Sequence, residues 1–309
     1  GMVNFEKNKE HILKSLKISE DSLLGKGVES YIYAYGSNQV LRILKQGSID
    51  YLKSLRELQL LISKSNFSVK TPLITKIDEL NGIFYTFEER FDGQNLSKIF
   101  KLFTDEEKKK IMLDYFDLLR EIANVDIRKF DFGQIAKTRD KISCNKWSDF
   151  VCKKVEQKTS QVAQRLQKDV IDFKGKLKVF NKLASTKLDS VEKSLVHGDY
   201  FYDNVMANEN AKITGILDFS GWTTVVGDFR LDVSGAIIFL EHSQFFVNYQ
   251  KPLTEIAKGR YGEDIEYYID FYRLYYSLFL SDSYLYLRPL YDWCVENLNN
   301  KELWKRVQQ

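Results

Sequence analysis

The sequence is poor in proline, cysteine and histidine, and each shortage excludes a class of protein or site. Its 309 residues include 3 Pro, 3 Cys and 3 His. So few prolines argue against long disordered linkers. The cysteines, Cys144, Cys152 and Cys294, are an odd and scattered set that fits neither a disulfide framework nor a metal-binding spacing. Free cysteines of this kind are typical of proteins in the reducing cytosol.

An excess of charge of one sign and long apolar runs are also missing. The chain has 46 Lys and Arg against 43 Asp and Glu, for a formal net charge of +3. No basic block alternates with aromatic residues, so the charge pattern predicts neither a nucleic-acid partner nor a membrane partner. No apolar run reaches the length of a transmembrane helix, and residues 3–7 contain no apolar signal region. We therefore expect a cytoplasmic protein, whose oligomeric state the sequence leaves open.

The chain does contain an ordered series of polar residues between short apolar runs. An apolar run leads into His197-Gly-Asp199, Asn204 follows five residues later, and two further apolar runs around a turn at 208–210 end at Asp218. This pattern predicts strand, loop, strand, turn and strand. A hairpin would bring Asp218 beside Asn204 and Asp199. Two carboxylates and an amide oxygen are ligands that Mg²⁺ prefers, with room left for phosphate oxygens and water.

The motif H-G-D-x-x-x-x-N at 197–204, followed by I-L-D-F-S at 216–220, resembles the catalytic core of the aminoglycoside phosphotransferase and choline kinase family. Protein kinases, which are related to this family, carry the analogous H-R-D-x-x-x-x-N and D-F-G motifs. The segment G-D-F-R-L-D at 227–232 is similar to the family's G-D-P-x-x-D, with Phe229 in place of the proline. Phe219-Ser220 in place of the Phe-Gly of protein kinases favours the small-molecule branch.

The resemblance implies an α+β, two-lobed, protein-kinase-like fold. We expect a small β-rich N-terminal lobe at 1–87, which binds nucleotide, and a larger, mainly helical lobe at 88–309, which carries catalysis and binds the acceptor. Hydrophobic residues make up 44% of the chain, enough for two modest domains that share an interface. The implied activity is transfer of the γ-phosphate of ATP, or of GTP, to a hydroxyl of a small molecule with Mg²⁺.

The same resemblance assigns roles in the catalytic segment. Asp199 is expected to accept or orient the proton of the acceptor hydroxyl, while Asn204 and Asp218 hold Mg²⁺ against the nucleotide phosphates. Three residues are expected to support this loop structurally: His197 as a buried anchor, and Asp228 and Asp232 by hydrogen bonds to the loop. For His197, the sequence offers no second histidine at a spacing that would form a metal pair.

A glycine-containing segment precedes the second predicted strand, where Val28, Ser30, Ile32 and Ala34 alternate with other residues. Glycine lets a backbone approach a phosphate closely. A lone G-x-G also fits an ordinary hairpin turn. Within the resemblance this segment is the loop that covers the nucleotide, with contacts expected from four residues: Gly25, Lys26, Gly27 and Ser30.

The next predicted strand, 39–45, carries Arg42 where protein kinases have a lysine that binds phosphate. Strand periodicity puts Arg42 and Lys45 on opposite faces. We favour Arg42 for the cleft, because a charge in the middle of an apolar strand needs a partner. The following segment, 49–63, is predicted to be a helix. Its Glu57 is expected to pair with Arg42, and the alternative is an exposed helical ion pair with Lys53.

A hairpin is predicted at 73–87 around the turn Asn81-Gly82. In the kinase pattern the end of this hairpin is the hinge between the lobes, where backbone groups hold the base of the nucleotide. The expected hinge residues are Phe87, Glu88 and Glu89.

Helical patterns dominate after the hinge. A capping box begins at Thr104, and helices are predicted at 147–167, 176–188, 230–241 and 265–287. The lysine-rich faces of the first two of these are interpreted as solvated. Since the family's C-terminal helices line the acceptor pocket, four acidic residues are expected to bind a cationic acceptor, with a solvated helix face as the alternative: Glu263, Asp264, Glu266 and Asp270.

Two other functions fit parts of the pattern. A metallohydrolase could use His197, Asp199 and Asp218, but it would normally need more histidines and would leave Asn204 unexplained. A catalytically silent nucleotide-binding protein is the stronger alternative, because Arg42 replaces the kinase lysine. The acceptor itself stays open, since an aminoglycoside, another antibiotic, an amino alcohol and a sugar all fit the motifs.

Overall fold

The first third of the chain forms an antiparallel sheet with two helices, as its alternating apolar residues predict. The computed structural model describes residues 4–27 and 29–309. Val3, of the segment 3–7, and Val28, of the second predicted strand, lie outside the described part. The elements are α1 (Phe5–Ser15), β1 (Leu23–Lys26), β2 (Ser30–Tyr35), β3 (Gln39–Leu44), α2 (Ile49–Ser63), β4 (Ile74–Leu80) and β5 (Ile83–Glu89). Within the described residues the strand order is β1-β2-β3-β5-β4.

The hairpin of β4 and β5 forms around Asn81 and Gly82, as predicted. Both turn residues have positive φ, 50° for Asn81 and 84° for Gly82, which a two-residue hairpin turn of type I′ requires. The predicted lobe boundary at residue 87 lies inside β5, which continues to Glu89. The division of the chain into lobes at that residue stays a prediction.

A separate apolar core stabilises this sheet. It is formed by Tyr33, Leu41 and Ile43 of the central strands together with Ile12 and Leu13 of α1. Helix α1 contributes Ile12 and Leu13 to this core from its second half.

The rest of the chain is mainly helical. It begins with β6 (Gln94–Asn95), α3 (Leu96–Ile99), α4 (Asp105–Ala123), β7 (Phe132–Gln134), β8 (Ser143–Cys144), α5 (Trp147–Thr159), α6 (Ala163–Asp169), α7 (Phe173–Lys187) and β9 (Ser194–Val196). It continues with β10 (Val205–Ala207), β11 (Ile213–Ile216), β12 (Val225–Gly227), α8 (Phe229–Ile238), α9 (Gln250–Tyr261), α10 (Ile265–Phe279), α11 (Arg288–Leu298) and α12 (Lys301–Val307). This composition confirms the predicted α+β class.

The predicted helices at 265–287 and 147–167 are not continuous α-helices. The segment 265–287 is helical only to Phe279 and continues as a turn of 3₁₀-helix at Ser281–Leu285. Ser281 there donates its hydroxyl hydrogen to the carbonyl of Leu278 at 2.7 Å. Hydroxyl side chains that bond to the backbone in this way compete with helix hydrogen bonds. The segment 147–167 is likewise interrupted by 3₁₀-helix at Ser160–Val162.

Small sheets place the catalytic segment within this helical part. Strand β10 pairs with β11 on one side and with β6 on the other, and β9 pairs with β12. The predicted hairpin of the catalytic segment is therefore confirmed. Helices α8 and α10 pack beside it, and the hydroxyl of Tyr200 bonds to the backbone carbonyl of Tyr115 in α4 at 2.6 Å. The predicted capping box of α4, between Thr104 and Glu107, is also present.

Strand β11 also joins the N-terminal sheet region to the helical part. The backbone of Lys70, between α2 and β4, bonds to Thr214 and Ile216 at 3.0 Å each. The hydroxyl of Thr214 bonds to the carbonyl of Asp92 at 2.6 Å, just after β5. Two stretches of chain from the N-terminal side are thus fixed to one strand. Across residues 4–27 and 29–309, none of the helices combines the length and apolar character needed to span a membrane.

Candidate active site

The predicted catalytic loop begins where the buried strand β9 ends. His197 is fully buried, and its Nε2 lies 2.7 Å from the carbonyl oxygen of Leu217. Its Nδ1 accepts a hydrogen bond from the backbone N–H of Asp199 at 3.1 Å. One nitrogen that donates and one that accepts define a neutral imidazole, and burial lowers the pKa of His197 to about 4. His197 therefore links the loop to the strand that leads to Asp218.

Asp232 holds the start of the loop. Its carboxylate accepts backbone hydrogen bonds from His197 at 2.7 Å and from Gly198 at 3.0 Å. Complete burial raises the pKa of Asp232 to about 7, although both hydrogen bonds favour the charged form. These contacts position the backbone immediately before Asp199.

The side chain of Asp228 stabilises the start of helix α8 and does not bond to the catalytic loop. It caps helix α8 by accepting from the backbone N–H of Arg230 at 3.0 Å, and it also pairs with the Arg230 side chain at 2.9 Å. It accepts a further bond from the hydroxyl of Tyr272. The prediction that Asp228 bonds to the loop directly is therefore wrong, because its oxygens are used within and around α8. Asp228 supports the loop only through the helix that carries Asp232.

Gly198 allows the loop to pass close to the segment before β12. Its φ is 88°, in the region that favours glycine. A Cβ at this position would overlap the backbone carbonyl of Thr223. Both the conformation and the contact therefore require glycine directly before Asp199.

Asp199 and Asn204 are bonded to each other. The Nδ2 of Asn204 donates to the backbone carbonyl of Asp199 at 2.6 Å and to its Oδ2 at 3.1 Å. With Nδ2 committed to Asp199, the Oδ1 of Asn204 is the atom left to bind a ligand. Burial raises the pKa of Asp199 to about 7 despite the hydrogen bond from Asn204, and the charge of Asp218 acts in the same direction as burial. A carboxylate with a pKa near neutrality suits proton transfer.

Asp218 comes next to this pair through the β10–β11 hairpin. The backbone N–H of Leu217 bonds to the carbonyl of Asn204 at 2.8 Å. Asp218 has a φ of 58°, a left-handed conformation in which aspartate is several-fold enriched. The residue is exposed at the edge of the cleft. Desolvation by the protein around its carboxylate nevertheless raises the pKa of Asp218, while the charge of Arg42 lowers it. The structure thus brings Asp199, Asn204 and Asp218 together.

The donor set at this position fits Mg²⁺ only as a partial site. Among the described residues, no group of three or more His, Cys, Asp or Glu side chains could hold a metal ion alone. Mg²⁺ typically binds through one or two carboxylates and completes its shell with substrate phosphates and water. The carboxylate of Asp218 and the amide oxygen of Asn204 provide a set of that kind.

Arg42 faces the cleft from β3, and its partner is Glu88. Its Nε lies 2.7 Å from Oε2 of Glu88, and its Nη1 donates to the hydroxyl of Ser30 at 3.2 Å. The hydroxyl of Thr86 donates to the same Oε2 at 2.8 Å. Strand register explains the pairing: Arg42 lies opposite Thr86, and Glu88 is the next residue of β5 on that face.

The predicted pairing of Arg42 with Glu57 is therefore wrong. Helix α2 buries Leu52, Leu58 and Ile62 and turns Glu57 outward, where it is exposed. In the described part of the chain, Glu57 forms no ion pair with Lys53 either. The carboxylate that Arg42 requires comes from the neighbouring strand.

The segment predicted to cover the nucleotide is only partly a loop. Gly25 and Lys26 belong to β1, and the turn begins at Gly27, whose N–H bonds to the carbonyl of Ser30 at 2.9 Å. Ser30 is buried and contacts Arg42, so it joins the turn to the phosphate-binding candidate. Lys45, on the other face as predicted, donates from its Nζ to the carbonyl of Gly27 at 3.0 Å.

The expected hinge residues all belong to the last part of β5. Phe87 is buried in the core of the sheet, and the backbone N–H of Glu89 bonds to the carbonyl of Leu73 at 3.2 Å. The sequence predicts a role for the backbone of this segment, but the side chain of Glu88 also takes part, because it binds Arg42. The contact of this segment with a nucleotide base stays a prediction.

The acidic residues predicted to bind the acceptor lie before α10 or in its first half. The helix contacts the catalytic loop near its C-terminal end, where the hydroxyl of Tyr276 lies 3.4 Å from the carbonyl of Gly198. At roughly 1.5 Å per residue, Glu266 is about 15 Å from Tyr276 along the helix. Glu263 and Glu266 surround Lys258.

The other two acidic residues are placed similarly. Asp264 is exposed directly before the helix. Asp270 pairs with Arg306 at 2.9 Å. The four residues form surface ion pairs or face solvent, in keeping with the alternative of a solvated helix face, and their contact with an acceptor stays a prediction.

Solved structures share this fold over almost the whole chain. A thermostable mutant of aminoglycoside phosphotransferase APH(4)-Ia, in a ternary complex with AMP-PNP and hygromycin B, matches with 17% identity, 98% coverage of both chains and a TM-score of 0.70. The GDP complex of aminoglycoside 2′-phosphotransferase-IIIa matches with 18% identity, 99% coverage of both chains and a TM-score of 0.65. The macrolide 2′-phosphotransferase of Brachybacterium faecium matches with 11% identity, 95% coverage of this chain, 98% of the other and a TM-score of 0.54. These likenesses confirm the predicted kinase-like fold.

Sequence comparison identifies the family directly. A search of curated proteins finds no match. The model of the phosphotransferase enzyme family, in contrast, matches residues 22–273, a range that includes Arg42, the catalytic loop and Asp218. The chain therefore belongs to the phosphotransferase enzyme family.

Proposed function

We propose that this phosphotransferase transfers the γ-phosphate of ATP to a hydroxyl group of a small molecule in the presence of Mg²⁺. The observation that carries the proposal is the convergence of Asp199, Asn204 and Asp218 at one end of a rigid hairpin, with Arg42 facing them. Phosphoryl transfer needs little more from a protein than this, because it depends mainly on positioning and on neutralising phosphate charge.

Asp199 supplies the group that receives or orients the proton of the acceptor hydroxyl. Its raised pKa and its position after a backbone fixed by Asp232 suit that role. Asn204 and Asp218 would hold Mg²⁺, which when bound neutralises charge on the phosphates. Asp199 is bonded to Asn204, so the proton acceptor and the metal ligand keep a fixed relation.

Arg42 provides the second positive charge for the phosphates. Its planar guanidinium can bind phosphate oxygens with the N–H groups of Nη1 and Nη2 that do not donate to Ser30 and Glu88. Gly27 and Ser30 would cover the phosphates, and the end of β5 would contact the base. Two of the similar structures contain AMP-PNP and GDP, so ATP and GTP are both substrates to test. Use of such nucleotides supports a cytoplasmic location, where they are abundant.

The test of this function is acceptor-dependent turnover. Purified full-length chain is incubated with Mg²⁺-ATP or Mg²⁺-GTP and a panel of aminoglycosides, macrolides, sugars, amino alcohols and hydroxy acids. We expect nucleotide consumption above background with at least one class, and mass spectrometry of the acceptor should show one added phosphoryl group. Tight nucleotide binding without any transfer would favour the alternative, a silent nucleotide-binding protein.

Replacing Arg42 should separate phosphate binding from fold stability. Arg42→Met should raise the KM for nucleotide about tenfold or more, because a partly buried charge contact to the phosphates is lost. It should also destabilise the chain by about 1–3 kcal/mol, because Glu88 loses its partner. Steady-state kinetics and urea unfolding measure the two effects.

The double variant Arg42→Met with Glu88→Gln is the matched control for this prediction. It removes the unpaired carboxylate, so we expect stability to recover while the KM for nucleotide stays high. Recovery of nucleotide affinity in the double variant would mean that Arg42 serves the fold and not the phosphates.

A further inference from the structure

A small cavity lies beside the catalytic loop. Its lining includes Phe150 and Lys154 of α5, Gly198 of the loop, and Tyr275 and Tyr276 of α10. The space open to the centre of a water molecule is about 20 Å³, which is enough for one water molecule or one monatomic ion. An organic acceptor is too large for this space, so the cavity needs an occupant of another kind.

Lys154 brings a positive charge to the cavity, and it is the only charged side chain among the described residues that line it. The residue is only 5% exposed. Its ammonium donates to Oε1 of Gln134 at 3.1 Å and to Oε1 of Gln157 at 2.7 Å. An ammonium has three N–H donors, so one donor is left without a partner in the described part of the chain.

The charge of Lys154 has no counter-ion. Both of its hydrogen-bond acceptors are neutral amides, and the buried Asp282 is already paired with Lys158 at 2.7 Å. Burial lowers the pKa of Lys154 to about 8, the charge of Lys158 acts in the same direction, and Asp140 opposes both. The ammonium is therefore the main form at pH 7. Since a buried charge without a partner is costly, an anion in the cavity would be strongly attracted.

The hydroxyl of Tyr275 is a second available donor. Tyr275 lines the cavity and is 3% exposed, and burial raises the pKa of its hydroxyl, which keeps its proton. The described residues offer this hydroxyl no hydrogen-bond partner, yet its oxygen is not among the unsatisfied polar atoms sealed in the core. The neighbouring Tyr276, in contrast, uses its hydroxyl on the carbonyl of Gly198 at 3.4 Å.

We propose that this cavity binds a monatomic anion such as chloride, held by the ammonium of Lys154 and the hydroxyl of Tyr275. A water molecule could accept the same two hydrogen bonds, but it would leave the charge of Lys154 unneutralised. The size of the cavity excludes larger anions such as gluconate. The bound ion would contact Gly198 and so join α5 and α10 to the loop that carries Asp199. This site lies outside the proposed reaction and does not depend on which molecule is phosphorylated.

Thermal unfolding in matched salts tests for the site. Chloride is titrated from zero to 100 mM against gluconate at constant ionic strength, with the full chain and without nucleotide. We expect a saturable rise in Tm of about 2 °C once chloride exceeds its Kd roughly tenfold, because the ion binds only the folded chain. An absent or purely linear dependence on chloride would overturn the proposal.

Bromide locates the ion directly. Crystals of the full chain grown in sodium bromide should give an anomalous difference peak between the ammonium of Lys154 and the hydroxyl of Tyr275. Peaks confined to surface lysines would mean an adventitious ion only. That result, or an ordered water in the cavity without an anomalous signal, contradicts the proposal.

Variants assign the ion to its two donors. Lys154→Met should abolish the saturable chloride effect, while Lys153→Met, at an exposed neighbour on the same helix, should keep it. Tyr275→Phe keeps the ring and removes one hydrogen bond to a charged ion, so it should weaken chloride binding about tenfold.

Circular dichroism checks that each variant folds. If Lys154→Met does not fold, the bromide peak and Tyr275→Phe still decide the assignment. A chloride effect that stays unchanged in folded Lys154→Met would place the ion elsewhere. None of these measurements requires phosphoryl transfer, so their outcome is separate from that of the proposed function.

Discussion

Asp199→Asn is expected to lower kcat by about a thousandfold, the middle of the range for loss of a general base. Asparagine has the same shape and can still accept the hydrogen bond that Asn204 donates to Oδ2 at 3.1 Å. The loop should therefore keep its structure, and the KM for nucleotide should change little. Steady-state kinetics with the best acceptor of the panel measures both parameters.

Asp203→Asn is the control for this variant, because Asp203 lies in the same loop with an exposed side chain. It should leave kcat within about threefold, as expected of an exposed position away from the reacting atoms. If Asp199→Asn kept a large part of the activity, or if both variants lost it equally, Asp199 would not be the proton acceptor.

Asp218→Asn should have the second large effect, a fall of about a thousandfold in kcat/KM for Mg²⁺-nucleotide, since charge stabilisation at phosphates is worth that much in comparable sites. The variant should also require more Mg²⁺ for half-maximal activity. Asparagine tolerates the left-handed conformation at φ 58°, so the backbone should be preserved. Activity measured across a Mg²⁺ titration separates weaker metal binding from damage to the fold.

Glu209→Gln provides the matched control on the same hairpin. Glu209 lies in the exposed turn between β10 and β11. The substitution removes one negative charge at a position outside the cleft. The activity and its dependence on Mg²⁺ should therefore stay unchanged. An unaltered Mg²⁺ requirement in Asp218→Asn would exclude Asp218 as a metal ligand.

The local part of the site could be predicted from the sequence, because local patterns determine it. Asp199 and Asn204 are in one loop, and Asp218 returns to them through a hairpin whose turn and apolar runs are visible in the sequence. The partner of Arg42 could not be predicted in the same way. Glu88 is on another strand, and only the register of β3 against β5 shows that both side chains share a face.

The acceptor side depends even more on long-range packing. Helical periodicity identifies the residues that share a face of α10, but it does not tell which end of the helix meets the catalytic loop. The sequence predicts that the lysine-rich face of 147–167 is solvated, and Lys153 is indeed exposed. Lys154 is buried because α5 packs against β7, where Gln134 receives its ammonium. No pattern within α5 distinguishes these two adjacent lysines.

The hydrogen bonds that fix the chain around Lys70 and Asp92 to β11 restrict conformational change in the protein. Lys70 is fixed to this strand through its backbone, and Asp92 is fixed to it through Thr214. We therefore expect any relative motion of the N-terminal sheet and the helical part to be smallest at β11. We expect substrates and products to exchange at the side of the cleft opposite β11, near the turn that begins with Gly27.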